Sequence, residues 1–242
     1  MALGALRLGV VCPMANEGED AVRLVDAVLA QTNRFAAVTF YAVLDRVTGD
    51  GSLELLRIHA QTEPRLVVVW APENQCLVDA YLRGYREALT GGADWILEID
   101  AGFSHDPADL PKFWQAIEQG CDCAFGSRFM PGGGFEDSSL KRRFVSWGGS
   151  ALSNLLLGTK LADMTSGFEL FRRDVLDMVL ARGIQSRAHF FQTEIKAHCR
   201  KLNVVEVPIT YRFASGRLGS TAVFDSLKQL FRLFRMRLMG KL

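Results

Sequence analysis

The feature that most constrains the fold is a repeated alternation in the first half of the chain. Short apolar runs are separated by segments with helical spacing, and the runs read LGVVCP, AAVTFYAVL, RLVVVWAP, DWILEID and CDCAFGS. Apolar runs bounded by turns suit buried strands, and helical segments between them suit crossover connections. The sequence therefore predicts an α/β fold in which helices flank a mostly parallel, Rossmann-like sheet.

The regular alternation stops after Arg128. A glycine-rich loop, FMPGGGFEDSS, precedes a basic helix start, LKRRFVSWGGSALSNLLLG. A segment DMTSGFELFRRDVLDMV, a helix HFFQTEIKAHCRKL, a strand VVEVPITY and a helical tail follow. A chain of 242 residues suits one large α/β domain. We predict one domain over residues 1–220 and an amphipathic C-terminal helix over residues 221–242.

Composition excludes several classes of protein. The net charge is +1, and there is no basic arm, helix-turn-helix or zinc-finger spacing, so we expect no nucleic-acid partner. No window approaches a membrane-spanning length of uncharged apolar residues. None of the cysteines forms a CxxC pair, which predicts buried thiols in a reducing compartment. We expect a cytoplasmic protein, free or held peripherally at the cytoplasmic face of a membrane. The cysteines are Cys12, Cys76, Cys121, Cys123 and Cys199.

Candidate site residues follow the ends of the predicted strands. Open parallel sheets bind ligands beyond the carboxyl ends of their strands. Acidic groups there suit hydrogen bonds to a base or ribose and metal-bridged phosphates, whereas arginines suit phosphate directly. The sequence thus favours a ligand with phosphate groups. The segments at these ends are Pro13–Glu17, Asp45, Ala71–Asn74, Asp100–Asp106 and Ser127–Arg128.

Motifs in a fixed order carry a resemblance to a known family. They read CPMANEG, LDRVTGDGS, EIDAGFSHDPADLP, GSRFMPGGG, DMTSGFELFRRDVL, FFQTEI and VVEVPITYRFASGRLGST. Together they resemble the family 2 glycosyltransferases of GT-A fold, and among them the polyprenyl-phosphate glycosyltransferases of the dolichol-phosphate mannose synthase type. The resemblance implies a GT-A fold and transfer of a sugar from a UDP- or GDP-sugar. Its implied acceptor is a polyprenyl phosphate, dolichyl or undecaprenyl, with another small acceptor as the alternative.

The same resemblance implies roles for individual residues. Asp100 would be the catalytic residue and the protein ligand of a Mg²⁺ or Mn²⁺ ion on the donor diphosphate. Substrate contacts would come from Pro13, Asn16, Glu17 and Asp45 at the nucleotide end, and from Arg128, Arg142 and Arg143 at phosphate groups. Gln192 would lie beneath the acceptor, and Ser104 and Arg217 belong to the same motifs. Asn74, a further candidate contact, begins the stretch where the family has Asn-x-Gly-x-Gly.

The chain departs from the family pattern around the donor site. Gly102 stands where the family has its second metal carboxylate, and Arg46 follows Asp45 where the family has a second aspartate. The segment Asn74–Val78 lacks two glycines of the family pattern, and Gly219–Ala222 lacks its lysine. A single carboxylate can hold the ion if the diphosphate supplies oxygens. Asp106 or Glu98 could instead supply a second carboxylate, or arginines could replace the ion. A non-catalytic subunit that binds a nucleotide-sugar is the alternative function.

The acceptor decides whether a general base is needed. A phosphate acceptor is already ionised at pH 7, but a hydroxyl acceptor needs a base within hydrogen-bond reach. The candidates for such a base are Asp163, Glu194 and His105.

The C-terminal segment carries an apolar stripe and basic residues. A basic amphipathic helix of this kind can lie on an anionic membrane, pack on a second copy of the chain, or pack on its own domain. The stripe is Phe224, Leu227, Phe231, Phe234 and Leu238, and the basic residues are Lys228, Arg232, Arg235, Arg237 and Lys241.

Overall fold

The computed structural model describes residues 2–137, 139–213 and 220–242 and confirms the predicted α/β class. Short 3₁₀ turns occur at Leu3–Ala5 and Pro107–Asp109. The strands are β1 Arg7–Pro13, β2 Ala37–Leu44, β3 Leu66–Trp70, β4 Trp95–Glu98, β5 Cys123–Ser127, β6 Gly134–Asp137, β7 Glu169–Arg172, β8 Val204–Pro208 and β9 Thr210–Phe213. The helices are α1 Asp20–Ala30, α2 Ser52–His59, α3 Leu77–Thr90, α4 Leu110–Glu118, α5 Leu140–Leu157, α6 Arg173–Arg182, α7 Phe190–His198 and α8 Ser220–Leu238.

The main sheet is mostly parallel, as predicted. Within the described residues, seven strands form it in the order β3-β2-β1-β4-β7-β5-β8. Strand β7 runs antiparallel to both of its neighbours, β4 and β5, and the other pairs are parallel. Strand β7 was not predicted as a separate element, because its four residues carry too little periodicity to reveal an inserted strand.

Helices cover both faces of the sheet because side chains of successive strand residues point to opposite faces. Val10 belongs to a core cluster with residues of α1 and α4, whereas Val11 belongs to a second cluster with residues of α3 and α6. Helix α3 lies close to β1 because Gly84 has no side chain. A Cβ atom at that position would lie 2.3 Å from Cγ1 of Val11. This close packing fixes the start of α3 relative to the ends of β1 and β4.

Two segments differ from the sequence-based expectation. The segment predicted as one strand over VVEVPITY is divided at Ile209 into β8 and β9, and the predicted glycine-rich loop contains β6. Strands β6 and β9 form a small parallel sheet of their own. Ile209 joins the two sheets, since its N–H donates to Ser127 O at 3.1 Å and its carbonyl accepts from Gly134 N at 3.0 Å.

Helix α8 packs on the domain through one face only. Leu230 and Leu233 are buried in a cluster with Leu157, Met164 and Phe190, so α8 contacts α5 and α7. Its first residue is Ser220, and the boundary between residues 220 and 221 as a domain limit stays a prediction. Among the helices of the described residues, none combines the length and the apolar character that crossing a membrane requires.

Candidate active site

Asp100 lies just past the carboxyl end of β4 in the middle of the main sheet. Its side chain is 30 % exposed, and the Tyr81 hydroxyl on α3 donates to its Oδ1 at 2.5 Å. The backbone N–H of Asp100 donates to Nδ1 of His105 at 3.4 Å, and Oδ2 lies 3.9 Å from the same ring nitrogen. One carboxylate oxygen is therefore held by Tyr81, while the other faces the turn that follows β4.

His105 braces this turn. It is buried, stacks on Phe168 with 4.8 Å between ring centroids, and pairs with Tyr211 in an isolated β-bridge. Burial, with a smaller contribution from Arg128, lowers the pKa of His105 to about 4, against the opposing effect of Asp100. The ring is therefore neutral at pH 7, and the acceptor role of Nδ1 assigns its proton to Nε2.

Gly102 and Glu17 face each other across the site. Gly102 has a φ of +68°, and Phe103 follows with a φ of 54°, so the backbone turns sharply in the left-handed region. A Cβ atom built on Gly102 would lie 3.0 Å from Oε2 of Glu17. Burial first, then Asp50 and other carboxylates including Asp100, raises the pKa of Glu17. The structure thus brings Glu17, predicted at the nucleotide end, next to the turn of Asp100.

The other residues predicted at the nucleotide end hold the loop after β2. Asn16 accepts from Gly49 N at 2.9 Å and donates to Val47 O at 3.3 Å. Asp45 Oδ1 accepts from Val47 N at 2.9 Å, which forms a tight local turn. Pro13 is buried at the end of β1. The ends of β1 and β2 therefore meet at the same edge as Asp100, and contacts with a nucleotide stay a prediction.

Asn74 and Ser104 complete the strand-end residues on this side. Asn74 is 8 % exposed, and its Nδ2 has no hydrogen-bond partner among the described residues. A buried unpaired donor costs about 1–3 kcal/mol, a cost that a ligand acceptor would remove. Ser104 Oγ donates to Ala101 O at 3.4 Å within the turn after Asp100. Asn74 is thus the better placed of the two for a polar ligand contact.

Arg128 is engaged in a buried ion pair. Its Nε and Nη2 donate to Asp163 at 2.6 and 2.9 Å, and Nη2 also donates to Thr165 Oγ1 at 2.6 Å. Burial by itself would raise the pKa of Asp163, but Arg128 lowers it to about 2. The guanidinium also lies 5.1 Å from the Phe135 ring and 5.5 Å from the Tyr211 ring. A phosphate bound by Arg128, as predicted, would therefore contact a guanidinium group that Asp163 already orients.

The predicted arginine pair lies at the start of α5, next to β6. Arg143 Nη2 donates to Phe135 O at 3.1 Å, and its guanidinium lies 5.3 Å from the same ring. Ser139 Oγ accepts from Arg142 N at 3.3 Å and caps the helix. Arg143 and Arg128 thus share one aromatic side chain, which places both cations on one side of the site. Arg217 lies outside the described residues.

Gln192 occupies an interior position, and its predicted substrate contact stays a prediction. It is buried, its Nε2 donates to Glu98 Oε1 at 3.1 Å, and the missing side chain of Gly167 makes room for its amide. Glu98 also accepts from the Tyr85 hydroxyl and is fully buried. Gln192 therefore supports β4 from below, and Glu98 is bound to other groups rather than available as a second carboxylate at the site.

The remaining acidic alternatives are engaged as well. Asp106 caps the turn at residue 107, accepting from Ala108 N at 3.0 Å and from Arg212 Nη2 at 2.5 Å. Glu194 is fully buried and accepts from Ser186 N at 2.9 Å, from Ser186 Oγ at 2.6 Å, and from Arg232. With Asp163 bound by Arg128, the candidate general bases all have structural partners.

Tyr81 was not predicted as a site residue. The pattern that could have indicated it is the buried face of α3, where Val78, Tyr81 and Tyr85 recur at helical spacing. A buried tyrosine hydroxyl usually finds a partner, so a tyrosine on an apolar face predicts a nearby acceptor. The identity of that acceptor, 19 residues away, depends on the packing of α3 against the ends of β1 and β4.

The strand order, with a carboxylate just beyond β4, is that of a GT-A-like fold. The family model described as "Glycosyl transferase family 2" matches residues 9–180, and the chain belongs to that family. The chain is accordingly a glycosyltransferase.

Two curated relatives are similar over most of the chain. An undecaprenyl-phosphate mannosyltransferase of Micrococcus luteus is 33 % identical over 171 residues, which is 70 % of this chain and 70 % of that protein. A polyprenol monophosphomannose synthase of Mycolicibacterium smegmatis is 29 % identical over 238 residues, which is 96 % of this chain and 88 % of that protein.

Solved structures share the fold. Glucosyl-3-phosphoglycerate synthase of Mycobacterium tuberculosis in complex with UDP superposes with a TM-score of 0.67 at 14 % identity, covering 98 % of this chain and 81 % of that chain. The same synthase in complex with Mn²⁺, UDP-glucose and glycerol 3-phosphate superposes with a TM-score of 0.64 at 14 % identity, covering 99 % and 81 %. At this identity the likeness concerns the fold alone.

Proposed function

We propose that this protein transfers a hexose from a UDP- or GDP-sugar to a polyprenyl phosphate, dolichyl or undecaprenyl. The observation that carries the proposal is the Asp100 carboxylate, held by Tyr81 at the end of β4 in a chain of this family. The two curated relatives are named for polyprenyl or undecaprenyl phosphate and for mannose, which supports the acceptor class and a hexose donor.

The chemistry fits the groups at the site. The bond between the sugar C1 and the diphosphate oxygen breaks as a bond from C1 to an acceptor phosphate oxygen forms. The acceptor needs no general base because its phosphate is ionised at pH 7, in agreement with the structural partners of Asp163, Glu194 and His105. A divalent ion, when bound, supplies positive charge for the leaving diphosphate. Asp100 would hold such an ion, since carboxylates are the ligands that Mg²⁺ and Mn²⁺ prefer.

A basic and apolar surface on α5 and α8 suits a lipid-linked acceptor. The outward face of α5 is apolar, with Leu140 81 % and Phe144 70 % exposed, whereas Ser150 and Ser153 lie on its buried side. We name the combined exposed face of the two helices the α5/α8 face. Its exposed apolar residues are Leu140, Phe144, Trp147 and Leu155 on α5, and Phe224, Leu227, Phe231 and Leu238 on α8.

Four residues of the predicted stripe of α8 are exposed and Phe234 is partly buried, while the opposite face is buried. Phe231 is 60 % exposed, and Leu233 is fully buried. Lys228, Arg235 and Lys241 lie on the same helix or just after it, and α8 has no acidic residue after Asp225. An exposed apolar patch with basic neighbours fits the surface of an anionic membrane. We propose that the α5/α8 face holds the protein at such a membrane, where a polyprenyl phosphate resides.

The function is tested by a transfer assay with purified protein. Radiolabelled UDP- and GDP-hexoses are incubated with undecaprenyl phosphate in detergent, with Mn²⁺ or with EDTA, and label extracted into organic solvent is counted. We expect transfer from one donor class, a loss of at least about 100-fold for Asp100→Asn, and little change for Asp177→Asn, which alters an exposed acid on α6. Binding of a nucleotide-sugar without any transfer would favour the non-catalytic alternative.

A further inference from the structure

We infer that Glu17 supplies the second carboxylate that Gly102 cannot, so that Glu17 and Asp100 together hold the divalent ion on the donor diphosphate. The inference rests on the proposed function and concerns how this chain compensates for a departure from its family pattern. Mg²⁺ and Mn²⁺ prefer several oxygen ligands, and they commonly combine one or two carboxylates with phosphate oxygens.

The space beside Gly102 is bordered by the side chain of Glu17. A Cβ atom at Gly102 would lie 3.0 Å from Oε2 and 3.9 Å from Cδ of Glu17. The carboxylate of Glu17 therefore borders the volume that a side chain at position 102 would enter. Glu17, in the loop after β1, thus brings a carboxylate to the turn after β4. In the family pattern the second carboxylate comes from position 102 of that turn itself.

The loop that carries Glu17 is anchored by hydrogen bonds to the segment before α2 and to its first residue. Ser52 Oγ accepts from Glu17 N at 3.0 Å and from Gly18 N at 2.8 Å, and Asp50 Oδ2 accepts from Gly18 N at 2.7 Å. Gly18 has a φ of +56°, which the loop needs to turn into α1. Three hydrogen bonds thus fix the backbone at Glu17 and Gly18, as a preorganised ligand requires.

Among the described residues, no lysine or arginine forms an ion pair with Glu17 or Asp100. The Asp100 carboxylate accepts from the Tyr81 hydroxyl at 2.5 Å and lies 3.9 Å from Nδ1 of His105, so the groups that contact it do not supply a lysine or arginine cation. Carboxylates that share a site disfavour each other unless a cation lies between them. The other acids near this turn, Glu98 and Asp106, are bound to protein donors. A divalent ion is the partner that this pair of carboxylates lacks.

The two carboxylates would be too few to hold a metal ion without further ligands. Within the described residues, no three His, Cys, Asp or Glu side chains are grouped closely enough to hold a metal ion by themselves. Glu17 and Asp100 would therefore form a site that is completed by diphosphate oxygens and water. Such a site binds the ion tightly only with nucleotide, which makes the affinity for Mn²⁺ a direct measure of both carboxylates.

The test exchanges the two carboxylate positions. Binding of Mn²⁺ in the presence of UDP or GDP is measured by the loss of the free-ion electron paramagnetic resonance signal, for wild type, Glu17→Gln, Gly102→Asp, and the double variant. We expect Glu17→Gln to weaken Mn²⁺ binding about 10-fold or more, and Gly102→Asp in that background to restore it. Aspartate tolerates the left-handed backbone of position 102 better than most residues. Glu19→Gln, the same exchange at an exposed acid two residues further along, is the matched control.

Calorimetry in EDTA separates the alternatives. Unchanged metal-free nucleotide binding in Glu17→Gln, together with weaker Mn²⁺ binding, supports the inference. Equal Mn²⁺ affinity in wild type and Glu17→Gln overturns it, as does a loss of nucleotide affinity that is the same in Mn²⁺ and in EDTA. If the double variant does not fold, the Glu17→Gln comparison decides alone. A wild type that binds neither nucleotide under any condition contradicts the proposed function as well.

Discussion

The orientation of the Asp100 carboxylate is set by a tyrosine from a different layer of the fold. Tyr81 reaches Oδ1 from α3, and its ring packs 5.2 Å from that of Phe191, so the hydroxyl has little freedom to move. Groups that orient a metal ligand typically change metal affinity 10–100-fold when they are removed. In the proposed metal site, Tyr81 would therefore be a positioning residue for Asp100.

Replacing Tyr81 by phenylalanine tests this role at a single hydroxyl. We expect Tyr81→Phe to keep the fold, because the ring still fills its space, and to weaken Mn²⁺–nucleotide binding about 10-fold. Tyr85→Phe is the control, since its hydroxyl bonds the buried Glu98. Electron paramagnetic resonance titration with Mn²⁺ and thermal melts measure both effects. An unchanged affinity in Tyr81→Phe, or an equal loss in Tyr85→Phe, contradicts the role.

Single residues show how far the sequence predicts the site. Asp100 was predicted from its place after a strand, and the strand is there as expected. The proximity of Glu17 to Gly102 was not predicted, because the two residues lie in loops that are 85 positions apart in the sequence. The engagement of Arg128 by Asp163 could not be predicted either, since charge pairs between distant loops leave no periodic signal in a sequence.

At the level of elements, the docking of α8 depends on one buried acid. Glu194 on α7 has no exposed side-chain surface and pairs with Arg232 of α8. It also accepts hydrogen bonds from the backbone of Gln185 and Ser186, in the segment between α6 and α7. The helix that carries the exposed stripe is therefore joined to the interior by an ion pair as well as by Leu230 and Leu233.

We expect Arg232→Ala to destabilise the protein by about 3–5 kcal/mol, because it leaves the Glu194 carboxylate buried without its cation. Arg235→Ala changes an exposed arginine on the same helix and should alter stability by less than about 0.5 kcal/mol. Urea unfolding followed by circular dichroism gives both values. Equal stability of the two variants would mean that Leu230 and Leu233 alone hold α8.

Elements also show why some predictions succeeded. Strands β1 to β5 were predicted because each is an apolar run bounded by turns, and helix α8 was predicted because its stripe has helical spacing. Strand β7 and the small sheet of β6 and β9 were not predicted, since they depend on partners supplied by other parts of the chain. The outward apolar face of α5 was missed because its inward side contains serines.

At the scale of the whole molecule, the α5/α8 face should determine membrane binding. We expect the protein to float with vesicles that contain phosphatidylglycerol, more weakly at high salt, and to bind poorly to vesicles of phosphatidylcholine alone. The double variant Phe144→Asp/Phe231→Asp should lose most of this binding, since it places charges in the apolar part of the surface.

Ile58→Asp is the matched control, because Ile58 is an exposed apolar residue on α2, away from this face. Flotation and the emission maximum of Trp147, compared with Trp147→Phe, report binding. Flotation that is the same for wild type and the double variant contradicts a membrane role. A dimer of the wild type in solution that dissociates in the double variant would instead assign the face to a second copy of the chain.

The antiparallel strand β7 has a consequence for the order in which the protein folds during synthesis. In the main sheet β4 pairs with β1 and β7, and β5 pairs with β7 and β8. Strands β1 to β4 can pair once residue 98 has emerged, but β5 has no neighbour in this sheet until Glu169–Arg172 is made. The nascent chain thus carries an unpaired edge on β4 for about 70 residues of translation, an interval in which exposed strand edges favour aggregation and a chaperone is most useful.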